Sequence, residues 1–128
     1  MIGAQGRVAV FAYRRPVDLR KGFEGLGALV REALAQDPLS GALYLFTNRR
    51  RTTAKVLHFD GTGLGLYIKR LARGRFAALW DDAAPASLSL TRTELDLFLQ
   101  GSHLVGKVAL APAPLGEKDL VVRARGDH

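Results

Sequence analysis

The sequence predicts an α+β fold: an antiparallel β-meander of about five strands, with one main amphipathic helix packed on it and a short C-terminal helix. Three observations predict it. Short segments rich in β-branched and aromatic residues follow one another with compact turns between them. One longer segment instead spaces its apolar residues three and four positions apart. Further on, a threonine and a glutamate stand in the T-x-x-E pattern that is typical of a helix start.

The first strand is predicted at residues 8–13, where apolar residues alternate until an Arg-Arg-Pro sequence ends the run. The main helix follows over about residues 20–36, because the apolar positions from Phe23 onward fall at helical spacing. Asp18 is expected to cap this helix. Its early turns contain three glycines, and close packing of the helix on the sheet is the simplest reason for them. They are Gly22, Gly25 and Gly27.

The remaining strands are predicted to follow in succession. Residues 43–46 are apolar on both faces, which indicates a central strand. Three more strands are predicted at residues 54–59, 64–71 and 76–80, with turns at residues 60–63 and 72–75. Compact turns between successive strands are typical of an antiparallel meander.

A short helix is predicted at residues 92–100. Thr91 and Glu94 form the capping box, and Gly101 suits the position that ends a helix. We expect residues 1–103 to form a single α+β domain. Residues 104–128 are rich in proline, glycine and polar residues, so we expect them to form a flexible or loosely docked tail.

The composition narrows the function classes. The chain has no cysteine, which excludes disulfides, cysteine-ligated zinc and thiol nucleophiles. Its three histidines have no metal-like spacing, and no metal or cofactor is expected. No run approaches the roughly 18 apolar residues of a membrane span, and the first residues lack a signal-peptide pattern. We therefore expect a cytoplasmic protein without a membrane partner.

The positive charge is concentrated in one part of the chain. Residues 14–75 contain 13 of the 19 lysines and arginines and 5 of the 12 acidic residues, a net charge of +8. The rest of the chain has six basic and seven acidic residues, so the overall charge is +7. Such an asymmetry favours a polyanionic partner, although a basic surface that only keeps the protein soluble explains the composition equally well.

Basic residues cluster at the predicted turns, and arginine binds phosphate or guanine through two parallel hydrogen bonds. A solvated, aggregation-blocking role is the structural alternative. With regular strands, residues 49–51 and 69–75 are expected at opposite ends of the meander, so a single compact patch does not follow. The candidate nucleic-acid-binding residues are Arg20, Lys21, Arg49, Arg50, Arg51, Lys55, Lys69, Arg70, Arg73 and Arg75.

The glycine-rich stretch at residues 60–65 does not fit a nucleotide site. Its glycine spacing is wrong for a dinucleotide fingerprint, residues 66–71 behind it have the composition of a strand, and no Lys-Ser/Thr pair ends it. Asp60-Gly61 is better explained as a hairpin turn.

Asp60 with Asp81 and Asp82 could form a metal-binding set for phosphodiester cleavage. His58 could assist Asp60 as a base. The sequence pattern indicates no nucleophile, however, and we predict that the protein is not an enzyme.

Three segments together resemble a known family. They are DLRKGFEGL at residues 18–26, DPLSGALYLFTNRRR at 37–51 and KVLHFDGTGLGLYIKRLARGRF at 55–76, followed by LTRTEL at 90–95. They are similar to the TnpB-type small accessory proteins of the insertion sequence 66 family of bacterial transposable elements. The resemblance covers roughly residues 7–100, and secondary structure alone does not demand these motifs.

The resemblance implies a role in transposition beside a large transposase, which carries out strand cleavage and joining, and a second small companion protein. The resulting hypothesis is a non-catalytic accessory protein that binds nucleic acid through its basic turns, with DNA, the transposase and the companion protein as partners. One alternative is a protein adaptor that docks on the transposase without touching nucleic acid. A metal-dependent nuclease is a further alternative.

Overall fold

The computed structural model describes residues 8–101, and in this range a five-stranded mixed sheet has a helix on each face. The predicted tail at residues 104–128 lies outside the described residues. The elements are β1 (Val10–Tyr13), α1 (Phe23–Glu32), β2 (Leu43–Thr47), β3 (Thr53–Phe59), β4 (Leu64–Arg70), β5 (Ser87–Leu90) and α2 (Arg92–Leu99).

The α+β class is confirmed, but the prediction of a purely antiparallel meander is wrong. The strand order is β4-β3-β2-β1-β5, and β1 pairs with β2 in parallel, with Val10 opposite Leu43. The segment that contains α1 joins these two strands, and a helical crossover brings the chain back to the same edge from which β1 began. Only β2, β3 and β4 form a consecutive antiparallel meander, while β5 pairs antiparallel with β1.

The sheet separates two hydrophobic clusters. On one face, α1 packs through Leu26 and Val30 against a cluster that includes Tyr44 and Phe46. On the other face, α2 packs on a cluster that includes Leu45. All five residues of β2 are buried, because this central strand is covered on both faces. The prediction of a central strand at this position is confirmed.

The predicted strand at residues 76–80 is also wrong. This segment has no strand structure, and it covers the α2 face of the sheet with Phe76, Ala77 and Leu79. The rings of Phe76 and Phe98 stack with centroids 4.9 Å apart. The fifth strand is Ser87–Leu90 instead, where two leucines alternate with two serines. Residues 76–79 are therefore apolar because they are buried against the sheet. Their backbone does not pair with a strand.

The helix ends differ in how well the sequence marks them. In α2, the capping box of Thr91 and Glu94 is confirmed, and Gly101 follows the helix with a φ of +84°. In α1, Gly22 is the N-cap and Asp18 does not cap the helix. The helix is shorter than predicted because Ala35, with a φ of +55°, turns the chain into the left-handed region before the Asp-Pro sequence is reached.

The three glycines near the start of α1 do not pack closely on the sheet. A Cβ at Gly22 would meet nothing within 4 Å, and one at Gly25 would meet the side chain of Lys21 at 3.0 Å. At Gly27 the nearest atom would be a guanidinium nitrogen of Arg31, at 3.7 Å. The expected reason for these glycines is therefore wrong, because their neighbours belong to the same segment of chain.

Candidate functional site

Three basic segments meet at one edge of the sheet. The strands β1 and β2 are parallel and end at this edge, and β4 ends there too because it runs antiparallel to β3. The N–H of Val17 donates to the carbonyl of Thr47 at 3.0 Å, and the N–H of Leu71 donates to that of Thr52 at 2.9 Å. The expectation that residues 49–51 and 69–75 lie at opposite ends is therefore wrong.

At this edge, arginines from three segments line a groove of about 900 Å³, which we call the arginine groove. Its lining residues within the described range include four arginines and one aspartate, which together carry a net charge of +3. Its lining residues are Pro16, Val17, Asp18, Leu19, Arg20, Asn48, Arg49, Arg50, Thr53 and Arg70. The groove thus brings together four of the residues that the sequence marked as candidates. Such a surface can bind a phosphate-bearing polyanion.

The side chain of Asn48 shapes the hairpin that carries two of these arginines. Its Oδ1 accepts the N–H groups of Thr52 at 2.9 Å and Thr53 at 3.1 Å. Its backbone carbonyl accepts the N–H of Arg51 at 2.9 Å. These bonds close the turn around Arg49 and Arg50, which are exposed at its tip. Local hydrogen bonds therefore hold the backbone and leave both guanidinium groups in solvent.

Arg20 differs from the other arginines of the groove because it is paired. Its Nε lies 3.0 Å from Oδ1 of Asp18 and its Nη2 lies 2.6 Å from Oδ2. The Arg20 side chain and backbone N–H hold the pKa of the Asp18 carboxyl well below its usual range. Among the described residues, none of the ion pairs involves Arg49, Arg50 or Arg70. Three arginines of the groove thus keep their charge available.

The remaining candidates lie outside the lining of the arginine groove. Arg51 has a φ of +60° and donates from its guanidinium to the carbonyl of Phe76 at 3.2 Å, so it holds the chain that follows β4. Lys55 donates to the carbonyl of Lys21 at 3.0 Å and thereby links β3 to the segment before α1. Arg73 and Arg75 are exposed in the loop after β4, at the same edge of the sheet.

Lys69 lies on the opposite face of the sheet from Arg70, because successive side chains of a strand point to opposite faces. There it lines a second groove of about 480 Å³ between the sheet and α2. Tyr67 and His58 lie beside it, and Arg92 and Asp96 line the helix side. Lys69 and Arg70 are adjacent in the sequence, but they therefore line two different grooves.

Sequence reasoning missed the role of two other arginines. The Nε of Arg14 donates to the carbonyl of Leu79 at 2.9 Å, and Arg15 donates to the carbonyls of Asp81 and Ala84, each at 3.0 Å. Both side chains are largely buried, with exposures of 17% and 28%. They anchor the loop before β5. The Arg-Arg-Pro sequence contains no signal of these contacts, which join segments more than 60 residues apart in the chain.

The acidic residues considered for catalysis have structural partners. Asp60 accepts hydrogen bonds through Oδ1 from the N–H and hydroxyl of Thr62 and from the N–H of Gly63, and these bonds hold the pKa of Asp60 below its usual value. This geometry confirms the predicted hairpin turn. Asp81 and Asp82 form ion pairs with arginines of the first loop, at 3.9 and 3.8 Å. Within residues 8–101, no group of three or more histidine, aspartate or glutamate side chains could hold a metal ion.

Comparison with known proteins identifies the family of this chain. The family model described as "IS66 Orf2 like protein" matches residues 8–108. The chain belongs to the IS66 Orf2-like family. The resemblance to accessory proteins of insertion sequence 66 is thereby confirmed, and membership of this family implies an accessory role in transposition.

Two relatives from Sinorhizobium fredii are similar to this IS66 Orf2-like protein over most of their length. The uncharacterized protein y4hO is 35% identical over 101 residues, which cover 79% of this chain and 86% of the relative. The uncharacterized protein y4jC is 32% identical over 101 residues, which cover 79% and 85%. No solved structure matches the chain.

In the part of the chain that the structure describes, no helix has both the length and the apolar composition that crossing a membrane requires.

Proposed function

We propose that this IS66 Orf2-like protein is a non-catalytic accessory protein of transposition that binds DNA through the arginine groove. The observation that supports this most is the convergence of Arg20, Arg49, Arg50 and Arg70 in one groove. These residues come from three segments that are distant in the sequence. A solvated turn would not require them to meet at one edge of the sheet, whereas a phosphate-binding surface would.

The chemistry of the groove favours contact with the sugar-phosphate backbone. Arginine presents a planar fork of donors that matches phosphate oxygens, and it is weakly hydrated, so binding costs less desolvation than for lysine. Among the residues described, those lining the groove include no aromatic side chain on which an unpaired base could stack. The groove is therefore suited to duplex DNA, with strong salt dependence and weak sequence preference.

The test is a salt titration of DNA binding by the full chain. Fluorescence polarisation is measured with a labelled duplex of the element's terminal repeat and with a random duplex of equal length. We expect both duplexes to bind, with the logarithm of the affinity falling linearly with the logarithm of the salt concentration. No binding to either duplex at about 50 mM salt, where phosphate contacts are strongest, would refute the proposal.

A pair of matched double variants assigns the binding to the groove. Arg49→Gln with Arg50→Gln removes two charges from the tip of the hairpin, and we expect the slope to fall by about 1.8. Arg31→Gln with Arg92→Gln removes the same charge from exposed positions on α1 and α2, outside the arginine groove. This control should leave the slope nearly unchanged. Equal losses in the two double variants would indicate a diffuse charge effect without a site.

The Arg49→Gln, Arg50→Gln double variant also distinguishes DNA binding from the adaptor alternative. If the arginines meet acidic residues of the transposase, the two proteins should co-purify after nuclease treatment, and the Arg49→Gln, Arg50→Gln variant should lose the transposase. Under the DNA-binding proposal, this variant loses DNA while any association with the transposase persists.

A further inference from the structure

In the part of the chain that the structure describes, β4 is an edge strand of the sheet. Within the described residues, the strand order places β4 at one end of the sheet and β5 at the other. β4 has seven residues and β5 has four. Two large apolar side chains near the middle of β4, Tyr67 and Ile68, are 53% and 55% exposed and point to opposite faces. A long edge strand with exposed apolar residues is a template for pairing with another strand.

The hydrogen bonds at the two ends of β4 show which backbone groups point away from the sheet. Thr52 and Leu71 are hydrogen-bonded partners, and so are Asp60 and Gly63. Hydrogen-bonded pairs alternate along an antiparallel ladder, so the odd-numbered residues of β4 bond to β3. The N–H and carbonyl groups that point outward therefore belong to Leu64, Leu66, Ile68 and Arg70.

We propose that a second copy of this chain pairs with β4 in antiparallel orientation, around a twofold axis at Tyr67. This register uses every outward-pointing residue of the strand. Leu64 pairs with Arg70 of the second copy, and Leu66 pairs with Ile68 of the second copy. The interface then contains about eight backbone hydrogen bonds between the chains. The two five-stranded sheets become one continuous sheet.

The side chains of β4 match this register on both faces. On the α1 face, Leu66 lies opposite Ile68 of the second copy, which places apolar groups together. On the α2 face, Tyr67 lies opposite its own counterpart, at the closest spacing of an antiparallel pair. Lys69 lies opposite Gly65, so no like charges meet. A register centred on Lys69 would instead place two lysines directly opposite each other, which is destabilising.

The twofold axis is perpendicular to the sheet, so both copies present the same face on the same side. Both α1 helices would lie on that side. Arg70 also points to that face, so the two arginine grooves would open towards the same side from opposite ends of the paired strands. This arrangement offers one partner two basic surfaces, but the proposal itself does not require nucleic-acid binding.

The test is the molar mass of the full chain, measured by light scattering during size-exclusion chromatography after nuclease treatment. We expect about twice the monomer mass of 13.9 kDa. Tyr67→Lys places two like charges opposite each other at the axis, and Ile68→Pro removes an outward N–H without removing a bond to β3. We expect both variants to be monomers with the circular dichroism spectrum of the wild type.

Leu39→Lys is the matched control, because Leu39 is 53% exposed and lies outside the sheet. It should remain a dimer. If Ile68→Pro fails to fold, the mass of Tyr67→Lys decides. A monomeric wild type would overturn the proposal. An oligomer of any size that survives both β4 variants would overturn it as well, because its interface would lie elsewhere.

Discussion

Replacing Asp18 by asparagine should strengthen DNA binding. Among the described residues that line the arginine groove, Asp18 is the one acidic residue, and both oxygens of its carboxylate accept hydrogen bonds from the Arg20 guanidinium. Asparagine keeps an oxygen that can accept the backbone N–H of Arg20, so the loop keeps its local bond. The substitution therefore removes one negative charge and releases one guanidinium, with little change of shape.

The magnitude follows from the charge that is released. The net charge of the groove lining rises from +3 to +4. If Arg20 then makes one more phosphate contact, the salt slope steepens by about 0.9, which at about 0.1 M salt corresponds to about eightfold tighter binding. Because the pKa of Asp18 is held well below its usual range, the ion pair persists in weakly acidic buffer. Lowering the pH to about 5 should therefore not reproduce the effect of the substitution.

The assay is the same salt titration by fluorescence polarisation, and Asp96→Asn is the control. Asp96 also pairs with an arginine, Arg92, at 3.4 Å, but on α2 beside the second groove. It should change the affinity and the slope little. Unchanged or weaker binding by Asp18→Asn would refute the reasoning that free positive charge in the arginine groove limits affinity. An equal gain in both variants would show that net charge alone is responsible.

Three further predictions concern stability and are checked by chemical denaturation. Gly27→Ala should raise the free energy of unfolding by up to about 1 kcal/mol, because the added Cβ makes only ordinary contact and alanine favours the helix; a loss would mean that α1 needs a glycine there. Ala35→Gly should also stabilise the protein, by up to about 1 kcal/mol, because residue 35 has a left-handed backbone that glycine adopts without strain. Asp60→Ala should destabilise the protein at neutral pH, because the lowered pKa of Asp60 means that its ionised form stabilises the folded state. That contribution is present above the unfolded-state pKa and is lost as the pH falls through the folded-state pKa, so the two proteins should converge in acid; a constant difference would contradict this origin.

Much of the fold could be predicted from local patterns. The strands β2, β3 and β4, the capping box of α2 and the hairpin turn at Asp60 were predicted because their signals are short-range. The errors arose where the apolar composition of a segment did not correspond to backbone pairing in the sheet. Residues 76–79 are apolar because they cover the sheet, while Ser87–Leu90 is a strand although half its residues are serine. A strand-helix-strand order was present in the sequence and would have indicated a parallel pair.

The candidate residues were predicted more completely than their arrangement. The ten basic residues chosen from the sequence include all four arginines of the groove. Their grouping was not predicted, because it depends on which strand ends share an edge. The structural roles of Arg51 and Arg14, which each donate to the carbonyl of a distant residue, were likewise invisible in the local sequence.

The sequence by itself determined the basic character of one half of the chain, the local turns and caps, and the motifs of the IS66 Orf2-like family. These features depend on neighbouring residues, whose chemistry can be read in order. The tertiary structure decided that β1 and β2 run in parallel, and with that it decided which loops meet. It also placed Arg70 in the arginine groove and Lys69 on the opposite face, because adjacent side chains of a strand point in opposite directions.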